Sequence, residues 1–331
     1  MEIVLFLIII ALLFVANLAE RDRIWLWLVA LFIVGSAALA GLAGLVFALL
    51  GAGLLPVEAL ADAGPLVGGP WATLFALILM AGAVLMILLL VPAVRRLLVR
   101  LLRFRVDADR PIIVTALFLS VGLLGLTATS LITSPSLPVE TFEQLSVTQR
   151  DLWVQGLLFA AAGFVGVGFL VRRGWQETLE RLGLTRITPR MALWALGLVI
   201  VLLLFSTGID MAWARLDPTS YERTSSITEA MLGNLSGPLA ALTIGLSAGI
   251  GEEILFRGAI QPRFGLIGAT LLFTIGHTQY EVTPALLIVF LIGLVLGIVR
   301  KRFNTSTAIL IHALYNASLL LIPWLLELLG L

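Results

Sequence analysis

The chain has 331 residues, of which 60% are hydrophobic and 12% charged, and its mean hydropathy is +1.10. A soluble domain is nearer half apolar and a quarter charged, so a soluble globular protein is excluded. The net charge of +1 argues against nucleic acid as a partner, and the lack of cysteine removes disulfides, thiol catalysis, Fe–S clusters and thiolate metal sites.

Apolar runs near 20 residues recur from end to end and predict an all-α fold, a polytopic transmembrane helical bundle of about ten spans. In chain order the spans read as 1–19, 24–50, 71–94, 111–134, 152–171, 191–209, 237–257, 265–280, 284–299 and 305–326. The first has only Glu2 ahead of its apolar stretch and no basic n-region, so it reads as an uncleaved helix. The second runs on to Leu55, longer than a bilayer needs, and is expected to tilt or to end in an interfacial piece. The basic amphipathic stretch Arg95–Arg105 reads as a cytoplasmic anchor on membrane lipid. The polar segment 172–190 reads as a cytoplasmic linker. It separates a region of about five spans over 1–171, with no assigned role, from 191–331, where polar residues gather inside the membrane.

Ten spans sort the loops into two sets, and one set holds 18 of the 21 Lys and Arg. By the positive-inside rule those loops are cytoplasmic and both termini lie outside. Trp25, Trp71, Trp153, Trp194, Trp213 and Trp324 stand near span ends and are expected in an interfacial belt. Arg so outnumbers Lys that the composition suggests a GC-rich prokaryote, and hence its inner membrane.

Charged residues inside a bilayer are costly and mark functional sites. Three clusters occur, all after residue 236. The first is Gly245-Leu-Ser-Ala-Gly-Ile-Gly-Glu-Glu-Ile-Leu-Phe-Arg257, on a helix opened by Ser236 and Pro238. Gly245 and Gly249 form a small-xxx-small stripe, and Glu252 follows on that stripe. The second is Phe273-Thr-Ile-Gly-His277 and the third His312-Ala-Leu-Tyr-Asn316, each with its end residues four apart on one helix face. At about 1.5 Å of rise per residue, Glu252, His277, His312 and Asn316 all fall roughly 8–18 Å in from the cytoplasmic boundary. Amide hydrolysis needs a base that deprotonates water and donors for the oxyanion. Glu252 with His277 is suited to the first task, and His312 with Asn316 to the second. Glu252 and Glu253 point about 100° apart on a helix. Glu253 has Arg257 at i+4 and reads as a structural clamp with it. Glu252 has no balancing neighbour on its own helix, so its partner is expected across the glycine seam, with His277 the best candidate.

At these residues the sequence resembles the CAAX-protease and bacteriocin-processing (CPBP) family of intramembrane proteases. That family's pattern is Glu-Glu-xxx-Arg, Phe-xxx-His and His-xxx-Asn on successive helices. Here it reads Glu252-Glu253…Arg257, Phe273…His277 and His312…Asn316. The match covers about residues 175–331, and 1–170 match no family. The resemblance implies a glutamic-type endopeptidase acting on a membrane-associated peptide or protein, with Glu252, His277, His312 and Asn316 catalytic and Glu253, Arg257 and Phe273 in support, and no cofactor.

Two other readings follow from the residues. Two His and one Glu make an acceptable zinc set, with Glu252, His277 and His312 as ligands of a metalloprotease. A non-proteolytic immunity factor or scaffold has no need of a water-activating glutamate. A proton-coupled transporter is disfavoured, because the polar set has no inverted copy in the first half.

Overall fold

The computed structural model describes residues 2–55 and 69–330, and all the regular structure among them is helical. Each apolar run read from the sequence contains a helix, although 71–94 is interrupted at 89–91, 152–171 is helical to Val167 and 265–280 to Ile275. The helices are α1 (Glu2–Ala19), α2 (Ile24–Gly51), α3 (Gly69–Leu88), α4 (Pro92–Leu101), α5 (Pro111–Thr133), α6 (Glu140–Glu143), α7 (Gln149–Val167), α8 (Trp175–Leu182), α9 (Pro189–Leu216), α10 (Pro218–Leu232), α11 (Gly237–Glu252), α12 (Gln261–Ile275), α13 (Pro284–Arg302) and α14 (Thr305–Leu328). A π-helical segment, Glu253–Ile260, joins α11 to α12. Proline opens α4, α5, α9, α10 and α13, where its missing N–H breaks no helical hydrogen bond. Asn304 caps α14 by accepting from the Thr307 N–H at 2.7 Å.

Seven helical stretches among the described residues are long and apolar enough to cross a membrane, and the protein is an integral membrane protein. They are α2, α3, α5, α9, the continuous run Gly237–Ile275, α13 and α14, while Ile3–Ala19 is apolar but shorter. Thus 237–257 and 265–280, read as two spans with a loop between them, fall on one helical run from Gly237 to Ile275 with non-helical angles at Gly265 (φ 75°, ψ 177°). That conformation is nearly closed to any residue with a Cβ. The chain turns there, and α12 comes back along the π segment, with Phe273 edge-on to Phe256 at 5.4 Å between ring centres.

Two compact units divide the chain. One is Val15–Ser136. In it α2 packs along α3, with Gly44 set against Ala76, Leu79 and Met80, and Phe47 meets Phe75 edge-on. Arg95, which opens the stretch read as a cytoplasmic anchor, is buried. It donates to the Leu89 and Ala108 carbonyls and to Asp109.

The other unit, residues 1–14 with 137–331, contains all three polar clusters. Its core joins α9, α13 and α14 through Val199, Leu202, Ile292, Leu296 and Ile311. On the opposite flank α7 lies against α11, and Gly156 sits so close to Ser247 that a Cβ there would be 2.5 Å from the Ser247 carbonyl oxygen. At one end of the unit Thr305 donates its N–H to the Gly183 carbonyl and Arg181 donates to the Gly258 carbonyl. At the other end Arg223 of α10 bonds to Glu281 and to the Leu137 carbonyl.

Candidate active site

The glycine stripe positions the first cluster. A Cβ on Gly249 would be 3.0 Å from both the Ala313 amide and its Cβ, and Gly245 lies against Ala313 and Ala317. Small residues on both faces therefore let α11 and α14 touch backbone to backbone. This approach delivers His312 to the two glutamates.

The π segment then turns its polar side chains inward. Such widened turns recur at functional sites. Glu253 and Arg257 are both essentially inaccessible, at 0% and 1% side-chain exposure, and are 3.3 Å apart. Arg257 donates to the Gly293 carbonyl at 3.1 Å, and its guanidinium lies 4.3 Å over the Phe273 ring. Gly293 is needed for this, since a Cβ there would be 3.0 Å from Phe273. The second oxygen of Glu253 accepts from His312 Nδ1 at 2.9 Å. A carboxylate only accepts, so the bond sets the proton on Nδ1 and turns Nε2 toward Glu252.

Glu252 points elsewhere, into a cavity of 740 Å³ that also reaches Phe273, His277, His312 and Asn316. Its Oε2 is 3.9 Å from His312 Nε2 and has no hydrogen-bond partner. That separation is too long for a direct hydrogen bond and suits a shared water. The residue across the glycine seam from Glu252 is thus His312, not His277 as the sequence suggested. The reason is the partner helix: the stripe packs on α14, which bears His312, whereas His277 follows α12.

His277 also departs from the expected helix face. α12 ends at Ile275, and His277 (φ −112°, ψ 47°) begins a short 3₁₀ turn. Its Nδ1 is 2.8 Å from the Phe273 carbonyl, which also accepts from the Gly276 N–H where α12 stops. Because a carbonyl can only accept, this bond also leaves Nε2 as the ring's free nitrogen. Both imidazoles are oriented through Nδ1, and the sequence carried no sign of either orienting group. Among the described residues no group of three His, Asp or Glu is arranged to hold a metal ion.

Sequence reasoning missed much of the cavity wall. Ser206 and Asp210 of α9, Tyr280, and Tyr315 inside the third cluster line it. Trp213, expected in an interfacial belt, is only 6% exposed and lines the cavity, and Trp324 does so too. Tyr315 was the one legible member, standing between His312 and Asn316. The exposed residues of the lining, among them Ser225, Glu229, Ser236, Pro323 and Glu327, lie on α10, the start of α11 and the end of α14. The mouth is therefore at the end of the unit away from Arg181, Gly258 and Thr305.

Residues 234–318 match the family described as type II CAAX prenyl endopeptidase, Rce1-like. The match contains all three clusters, so the resemblance read from them holds over this segment. Comparison with the curated proteins and with the solved structures found no match.

Proposed function

From this CAAX-endopeptidase segment we propose that the protein is an intramembrane endopeptidase that hydrolyses a peptide bond with water activated by Glu252. One observation carries the reading. Glu252 lines the cavity, and its Oε2, which has no hydrogen-bond partner, lies 3.9 Å from an imidazole whose other nitrogen is bonded to a buried carboxylate.

Glu252 takes a proton from the water as it attacks the carbonyl carbon, and passes it to the leaving amine. His277 Nε2 accepts a hydrogen bond from that water and holds it in line. His312, as an imidazolium stabilised by Glu253, donates Nε2–H to the developing oxyanion, much as a buried aspartate supports the histidine of a serine protease. Asn316, one turn along α14, adds an amide donor. Arg257 holds the Glu253 carboxylate in place beside His312. The substrate is a membrane-associated peptide or protein. In the cell the chain belongs to a prokaryotic inner membrane, with both termini outside and the reacting groups closer to the cytoplasmic boundary.

The test is hydrolysis of quenched-fluorescence peptides by the purified protein in detergent. Glu252→Gln, His277→Ala, His312→Ala and Asn316→Ala are each expected to lose about 10²–10⁴-fold in kcat/KM. A tight chelator is expected to leave activity intact. Loss with chelator and recovery with zinc would instead make Glu252, His277 and His312 metal ligands. Cellular function that survives Glu252→Gln would show that the protein acts by binding alone.

A further inference from the structure

Four of the residues lining the cavity are acidic and none is Lys or Arg. The acids are spaced along its length: Glu327 and Glu229 are exposed at the mouth, Asp210 is half-buried on the wall, and Glu252 is at the floor. The nearest basic side chain of α10, Arg223, is turned away to Glu281 and the Leu137 carbonyl. In a cleft with low-dielectric walls, one sign of charge focuses the potential and raises the local concentration of the opposite sign.

A second observation is independent of the charge. Trp213 lines the same wall, is 94% buried by its 6% exposure, and its indole N–H has no hydrogen-bond partner. A buried donor without an acceptor is costly, and a peptide carbonyl laid along the wall would satisfy it. Trp213 meets Tyr221 edge-on at 5.3 Å, Tyr280 and Trp324 also line the cavity, and aromatic faces attract cations.

We propose that the cavity selects a positively charged peptide segment, drawn in past Glu229 and Glu327 and held along Asp210 and Trp213 so that a backbone carbonyl reaches Glu252. The proposal rests on the endopeptidase reading of this cavity. Atoms balance as in ordinary amide hydrolysis, with water as the only co-reactant.

Binding is measured separately from cleavage to keep the two ideas apart. The full-length Glu252→Gln protein, in discs of neutral lipid, is titrated with dansyl peptides of about ten residues that differ only in carrying Lys, Gln or Glu at two positions. The Lys peptide is expected to bind at least about tenfold more tightly than the Gln peptide, and the Glu peptide most weakly. Roughly 0.5 M salt should shrink the gap. The added triple substitution Asp210→Asn, Glu229→Gln and Glu327→Gln should erase it while the melting temperature holds. Equal affinities, no saturable binding of the Lys peptide, or a Lys preference that survives the triple substitution would each overturn the proposal. Binding with the expected preference but no hydrolysis by the unsubstituted protein would instead defeat the endopeptidase reading and leave the charge selection standing.

Discussion

Two adjacent glutamates illustrate what one residue's surroundings decide. Glu253 is enclosed between Arg257 and His312, whereas Glu252 faces the cavity with 14% of its side chain exposed. Glu252→Gln breaks no hydrogen bond of Oε2, so the expected outcome is an inactive protein whose thermal unfolding is nearly unchanged. Arg257→Gln leaves a buried carboxylate with one partner fewer and is expected to cost about 3–5 kcal/mol. Glu253→Gln should lower stability and activity together, since His312 loses its ionised support. Because the two side chains share one ion pair, the double variant should lose less than the sum. Unfolding of the four proteins in the same detergent reads the coupling, and strict additivity would mean that no shared clamp exists. An active Glu252→Gln with a dead but stable Glu253→Gln would reverse the two roles.

At the scale of elements, the site depends on two glycine devices. The α11–α14 contact requires Gly249, so Gly249→Leu is expected to lower the melting temperature and abolish hydrolysis by moving His312 away from both glutamates. Gly197 on α9 provides the control. Nothing lies within 4 Å of the position a Cβ would take there, and Gly197→Leu should leave activity in place. The other device is the turn at Gly265, whose backbone angles admit glycine almost alone. Gly265→Ala is expected to cost on the order of 1–3 kcal/mol and to weaken the return of α12. Normal stability of that variant would show that the turn tolerates a side chain. The glycine stripe itself was readable in the sequence, but its partner was not, since spacing shows where a helix can approach and not which helix does.

For the molecule as a whole, the unit formed by residues 1–14 and 137–331 has opposite ends of different character. Arg181 and Thr305 mark one, and the acid-lined mouth marks the other. In the proposed orientation, with the basic loops cytoplasmic, the mouth faces outward. The chain has no cysteine, so single thiols can be introduced without background. Gln176 and Ser225 are both exposed and suit the test better than Thr178, which is buried. An impermeant thiol reagent on intact cells is expected to label Ser225→Cys and to spare Gln176→Cys. The reverse pattern would invert the orientation and turn the mouth to the cytoplasm.

Composition and period were enough for the membrane class, for the helices and for the chemistry-bearing clusters, because each is a local property of the chain: apolar length, residue spacing, and charge where charge is costly. The separation of Glu252 from Glu253 was also local, following from about 100° per residue and an Arg257 four positions on. What only the tertiary structure decided depends on contacts between distant segments. His312 came to bond Glu253 and to stand 3.9 Å from Glu252 because α14 is the helix seated on the glycine stripe. His277 left its helix because α12 stops at Ile275, and its ring then meets the Phe273 carbonyl beside the Gly276 N–H. Asp210 and Trp213 joined the cavity because α9 packs beside α13 and α14, an association that burial of apolar surface drives without leaving any periodic mark in the sequence.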